Sequence, residues 1–257
     1  MQTIAIKHSS YKIKRGWIVE MTQLTEQEML YRIVLPDDEP LDHDPGQFVA
    51  VSLFGVGEAP ISICSSPTRL DSFELCIRAA GRVTEALHRL NIGDEIGIRG
   101  PFGVGFPVVS LEGNDILLVA GGLGLAPLRS LINYIIDNRR DFGKVDILLG
   151  CHDPASMLFN KELEVWDKRM DLNFCCAIDQ AAPDWVGNVG LIAGLIPGVS
   201  LDSQKTFAVV CGPPVMYRFV VDELLKKGIP ETHIYLSLER HMKCGLCLLY
   251  TSDAADD

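Results

Sequence analysis

The sequence predicts two domains in series: an antiparallel β-barrel over residues 1–108, then an α/β domain with a parallel sheet over residues 109–240. Three observations lead there. Before Pro107, short β-rich runs are separated by turn clusters. After it, apolar strand-like runs alternate with amphipathic helical ones. A length of 257 residues accommodates two domains of ordinary size.

In the first half, Trp17–Met21, Met29–Val34, Phe48–Leu53, Phe73–Ile77 and Glu95–Arg99 read as strands. Turn residues such as Pro36-Asp37-Asp38, Asp44-Pro45-Gly46 and Asn91-Ile92-Gly93-Asp94 stand between them. Strands this short and this frequent close into a barrel or stack as a sandwich. A helix over Val83–Leu90 interrupts them, with Val83, Leu87 and Leu90 on one face.

In the second half, Ile116–Ala120, Val145–Gly150, Phe174–Ile178, Phe207–Cys211 and Ile234–Leu238 read as strands. Helices are expected over Pro127–Asn138, Phe159–Lys168 and Val215–Lys227, the last ended by Gly228. The alternation implies parallel β-α-β units, whose ligands bind beyond the carboxyl ends of the strands. The boundary between the two regimes falls between Pro107 and Asn114.

Composition narrows the function. A net charge of −11, with no basic block, argues against a nucleic-acid partner. The longest apolar run, Ile116–Leu128, holds three glycines and a proline. It is too short for a membrane span, which takes about 20 apolar residues. With no basic-then-apolar leader at the N-terminus, the expected location is cytoplasmic. The eight cysteines are then thiols or ligands rather than disulfides, and Cys64, Cys76, Cys175 and Cys176 read as small core residues.

Three stretches carry chemistry. In Ile116–Pro127 a buried strand runs into Gly121-Gly122-Leu123-Gly124, and after Ala126 a helix starts at Pro127. Glycines let a backbone approach a pyrophosphate closely, and a helix N-terminus stabilises its charge. Pro127 stands where a third glycine would complete the usual dinucleotide fingerprint, so a ligand-free glycine turn is the alternative. Cys211-Gly212-Pro213-Pro214 follows another strand on the same sheet edge, so both turns face one crevice; the alternative is a rigid turn with a buried cysteine. In the barrel, Pro60-Ile61-Ser62, Cys76-Ile77-Arg78 and Gly81-Arg82-Val83-Thr84 offer two arginines, a hydroxyl and a helix start to an anionic diphosphate. Surface ion pairs are the alternative fate of Arg78 and Arg82. Asp153, just past a strand end, is placed either to bind a ribose hydroxyl, favouring NAD over NADP, or to cap a turn before Pro154.

In this order, the three stretches resemble the ferredoxin–NADP reductase superfamily, from about residue 15 to residue 245. Gly57–Pro67, Phe73–Arg78 and Leu238–Gly245 look most like the gamma (diaphorase) subunit of cytoplasmic nickel–iron sulfhydrogenases. The B subunit of anaerobic sulfite reductase and the electron-transfer subunit of dihydroorotate dehydrogenase are similar.

The resemblance implies FAD in the barrel, NAD or NADP in the α/β domain, and a 2Fe-2S cluster passing electrons to partner subunits of a multi-subunit complex. It places Pro60, Ile61 and Ser62 along the flavin and Cys76, Ile77 and Arg78 beside its ribityl chain. Gly81, Val83 and Thr84 would cap the FAD diphosphate. Many relatives have arginine where this chain has Ala59, so Arg78 or Arg82 would have to compensate. Gly121, Gly122, Leu123 and Gly124 with Ala126 and Pro127 would hold the nicotinamide dinucleotide. Gly212, Pro213 and Pro214 would set its nicotinamide against the flavin, with Cys211 at the reacting end. Hydride transfer between cofactors needs positioning rather than an acid–base dyad, and the six scattered histidines offer none.

The resemblance also makes Cys244 the first ligand of the cluster, which needs four thiolates. Residues 241–257 offer only Cys244 and Cys247, so the expectation is a truncated iron–sulfur segment with a foreign tail. An enzyme subunit is the leading reading, most consistent with a hydrogenase partner. The alternatives are a flavin- or nucleotide-binding regulatory module without turnover, or the equivalent subunit of a sulfite reductase or dihydroorotate dehydrogenase.

Overall fold

The computed structural model describes residues 12–181, 183 and 185–238. Cys244 and the rest of the C-terminal tail lie outside the described residues.

Six antiparallel strands form the first sheet: β1 (Lys14–Gln23), β2 (Glu28–Val34), β3 (Phe48–Leu53), β4 (Gly57–Ser62), β5 (Phe73–Arg78) and β6 (Glu95–Phe102). Their order is β4-β3-β6-β1-β2-β5, and an Ile63–Leu75 bridge joins the two end strands into a barrel. The period of two decides which side chains go in. Tyr31 and Ile33, Val49 and Val51, Phe73, Leu75 and Ile77, and Ile96 and Ile98 fill the interior. On β5 this leaves Glu74, Cys76 and Arg78 on the opposite face, and Cys76 packs with the second domain's core. β4, not expected as a strand, holds Pro60; an end strand tolerates a residue that cannot donate to a ladder. The expected helix over Val83–Leu90 is α1 (Arg82–Leu87).

After α2 (Val108–Leu111), a parallel sheet is built from β7 (Asp115–Gly121), β8 (Val145–Cys151), β9 (Asn173–Ile178), β10 (Asn188–Val189), β11 (Thr206–Cys211) and β12 (Ile234–Ser237). The order is β10-β9-β8-β7-β11-β12. β7 is covered on both faces, as continuous apolar runs require. Leu118 and Ala120 pack toward α3 (Leu125–Asp137), while Leu117 and Val119 face α5 (Pro214–Lys226). α4 (Asn160–Asp167) covers β9.

α3 starts two residues before the expected Pro127, which sits in the first turn where its missing N–H is no loss. The winding direction of the sheet reverses between β7 and β11, and a crevice opens beyond the carboxyl ends of strands at such a point.

Candidate active site

The two glycine-proline turns meet at that reversal. Ala120 of β7 pairs with Cys211 of β11, so Gly121–Gly124 and Gly212–Pro214 leave adjacent strands side by side. Both turns also pack closely on the Met216 side chain. A Cβ on Gly121 would stand 2.5 Å from Met216 Sδ, and one on Gly212 2.5 Å from Met216 Cε. Gly122 has φ +52, and a Cβ there would meet nothing within 4 Å. It is a bare, left-handed backbone position over open space, where a side chain would block an approaching ligand.

Consecutive residues of the first turn contribute to two cavities. One, of about 340 Å³, lies between the domains. β4 contributes Pro60, Ile61 and Ser62; β5 contributes Cys76 and Arg78; Leu123, Ala126 and Pro127 close the opposite side, and Ser237 and Leu238 the end. Its walls are mostly apolar with few polar groups, which suits a flat aromatic ring system. The second cavity, also about 340 Å³, is lined by Gly121 and Gly122, Gly150–His152, Asp179, Pro213, Met216 and Phe219 among others. The N-termini of α3 and α5 both lie on this sheet edge, so the positive ends of two helix dipoles are turned toward a diphosphate there. The residues present therefore fit both a flavin and a dinucleotide.

Not every expected residue faces a cavity. Ile77 points into the barrel core. Arg78 lines the first cavity while Nε donates to Glu28. Arg82 donates to the Val56 carbonyl instead. Thr84 Oγ accepts the N–H groups of Ala80 and Gly81 at 3.0 and 3.1 Å, so its hydroxyl caps α1, and Gly81 is the N-cap. Val83 packs against the barrel core.

Cys211 is buried at the end of β11, and Pro214 opens α5. Burial raises the Cys76 thiol well above its usual range and pushes Cys151 to about 12, so the cysteines beside the cavities are neutral thiols at neutral pH.

Asp153 takes the capping alternative. Its Oδ1 accepts the Ser156 N–H at 2.8 Å, and the Ser156 hydroxyl accepts the Asp153 N–H at 3.1 Å. The acid that lines the second cavity is Asp179, just past β9 and 3.9 Å from His152 Nδ1. Asp179 carries the same sequence signal as Asp153, an acid just past a strand end.

Two further residues came without a sequence signal. Tyr217 accepts the Gly212 N–H at 3.3 Å and donates to the Ser237 carbonyl, tying the second turn to β12. Arg129 is buried between the domains, contacting Glu74 and Glu162.

A barrel with a cavity at its face, joined to a doubly wound sheet whose glycine turn borders that cavity, defines a two-domain dinucleotide oxidoreductase. Comparison with known proteins agrees. Residues 16–105 match the oxidoreductase FAD-binding domain and residues 118–222 the oxidoreductase NAD-binding domain. The chain belongs to the FAD- and NAD-binding ferredoxin reductase family.

It is 42% identical over 241 residues to the sulfhydrogenase 1 gamma subunit of Pyrococcus furiosus, covering 92% of this chain and 82% of that one. It is 32% identical over 233 residues to the probable dihydroorotate dehydrogenase B (NAD(+)) electron transfer subunit of Methanothermobacter thermautotrophicus, covering 90% and 80%. In fold it matches the CS-b5R domains of human Ncb5or with a TM-score of 0.77 at 21% identity, covering 91% of this chain and 72% of that one. Phthalate dioxygenase reductase matches with a TM-score of 0.71 at 16% identity, covering 87% and 67%.

Proposed function

We propose that this FAD- and NAD-binding oxidoreductase is the electron-transfer subunit of a cytoplasmic multi-subunit enzyme, with a hydrogenase as the favoured partner. The observation that carries the reading is the shared turn: Leu123 lines the interdomain cavity while Gly121 and Gly122 line the nucleotide cavity. Two cofactors bound on either side of one turn would be in contact, and a module without turnover needs only one site. The 42% identity to a sulfhydrogenase gamma subunit supports the hydrogenase assignment over the others.

Pro60, Ile61 and Ser62 would lie along the flavin, with Cys76 and Arg78 beside its side chain; Gly81, Arg82, Val83 and Thr84 would lie further along toward its diphosphate. Gly122 and the N-termini of α3 and α5 would hold the nicotinamide dinucleotide, Pro213 would bound its path, and buried Cys211 would back the reacting end. Bound flavin supplies the exchange between a two-electron hydride and single electrons. Asp179 would disfavour a 2′-phosphate by charge, so NAD is the preferred dinucleotide. Cys244 would be one of the four thiolates that a 2Fe-2S cluster needs.

Protein reconstituted with FAD should be yellow and should bleach when NADH is added without oxygen. A protein that takes up FAD but is untouched by NADH or NADPH would support the binding module instead.

A further inference from the structure

α3 is fastened to the barrel by three residues along its length, Arg129, Ser130 and Asp137. Its first turn supplies Ala126 and Pro127 to the interdomain cavity. Two residues on, Arg129 Nη1 donates to Glu74 Oε2 at 2.6 Å and to the Cys64 carbonyl at 2.9 Å. Ser130 Oγ donates to the Ser65 carbonyl at 2.6 Å. At the far end, Asp137 accepts from Arg69 at 3.1 Å and from the Thr68 hydroxyl. All these partners lie in residues 64–74, the segment leading into β5 and its cavity residues Cys76 and Arg78.

Arg129 is the centre of the set. Its side chain is only 8% exposed, and its other edge forks onto Glu162 of α4, with Nε at 2.9 Å and Nη2 at 2.6 Å from Oε1. The Phe159 ring packs 4.7 Å from the guanidinium carbon. One planar cation thus joins β5, α3 and α4 in a geometry that a lysine, a point charge on a flexible stem, does not reproduce. Exposed ion pairs fix little, but a buried forked one fixes orientation as well as distance.

We infer that Arg129 is a positioning residue for hydride transfer: it locks α3 against β5 and so sets how the flavin cavity sits against the glycine turn that borders the dinucleotide cavity. The inference rests on the flavin and nicotinamide reading given above. Hydride transfer needs its reacting atoms about 3–3.5 Å apart, and a displacement near 1 Å costs on the order of 100-fold in rate. Ala126 and Pro127 lie within one helical turn of Arg129, so a shift at the lock is transmitted to the cavity wall.

The test is anaerobic single-turnover reduction of FAD-loaded full-length protein by NADH, comparing the wild type with Arg129→Lys. Flavin content and the concentration of NADH that half-saturates the rate should stay near wild type, while the limiting rate falls roughly ten- to 100-fold. A merely structural role would lower flavin content or melting temperature and leave loaded molecules reacting at the wild-type rate; that result overturns the inference. If Arg129→Lys does not fold, Glu74→Ala removes the charged barrel partner of Arg129, leaving the Cys64 carbonyl on the barrel side and Glu162 to neutralise the guanidinium. A slowed limiting rate there supports the inference, and an unchanged one overturns it. A wild type that is not reduced at all overturns the functional reading and this inference together.

Discussion

Gly124 and Cys211 touch backbone to backbone: a Cβ on Gly124 would stand 2.4 Å from the Cys211 carbonyl oxygen and 2.6 Å from its carbonyl carbon. Neither partner is a flexible side chain that could swing away. The glycine turn and the Cys-Gly-Pro-Pro turn therefore form one unit at the reversal point of the sheet, and Gly124 is set by packing rather than by its φ of −59.

Gly124→Ala should accordingly be among the costlier overpacking substitutions, which span about 1–3 kcal/mol. The expected outcome is a loss at the upper end of that range in chemical denaturation. Flavin should still bind, because no cavity residue on β4 or β5 is touched, while affinity for NAD falls. Wild-type NAD affinity in a stably folded Gly124→Ala protein would show that the two turns can separate freely.

Asp179→Ser should relax dinucleotide choice. Removing a carboxylate from the cavity wall removes repulsion of a 2′-phosphate, and a gain of about 1.4 kcal/mol corresponds to tenfold. The ratio of kcat/KM for NADPH to that for NADH should rise by roughly that factor or more. Asp153→Ala, by contrast, should leave the ratio unchanged and weaken the turn it caps, since losing such a cap costs about 1 kcal/mol. The opposite pattern would restore Asp153 as the ribose residue.

That exchange shows where the sequence was legible. Gly121–Gly124 and Cys211–Pro214 could be read because glycine and proline encode backbone geometry, and strand alternation fixed their common edge. Pro60-Ile61-Ser62 was recognised by resemblance but not as a strand, since an end strand with a proline breaks the local pattern. Asp153 and Asp179 both follow strand ends, and the choice between them depends on Ser156, three residues after Asp153, donating its N–H to the Asp153 carboxylate. Arg129 was invisible because its acidic partners lie 55 and 33 residues away.

Alkaline conditions should destabilise the fold through buried acids. Burial pushes Cys64 and Cys151, and likewise the Tyr31 phenol, up to about 12. A raised folded pKa means that the native state holds its proton more tightly than the unfolded chain. Each cysteine's contribution is complete below about pH 8.5, its unfolded value, and is lost as pH rises toward 12. Within that window each group removes about 1.4 kcal/mol per pH unit at most. The denaturation midpoint should be flat from pH 7 to 8 and fall between pH 9 and 11. Cys151→Ala should make that fall shallower. An equally steep fall in Cys151→Ala would mean that other groups dominate the alkaline limb.

Tyr217→Phe tests whether the second turn is held by β12. The Tyr217 hydroxyl accepts the Gly212 N–H and donates to the Ser237 carbonyl, next to Leu238 at the end of the interdomain cavity. Phenylalanine keeps the ring and its packing but leaves one backbone donor and one acceptor without this partner. Both groups are partly exposed and can be rehydrated, so the stability loss should be near 1 kcal/mol rather than the larger penalty of a sealed core. The sharper readout is hydrogen exchange: the Gly212 amide should lose protection in Tyr217→Phe, while amides inside β11 such as Val209 keep theirs. If Gly212 stays protected, the turn is held by its packing against Gly121 and Met216 alone, and β12 has no part in fixing it.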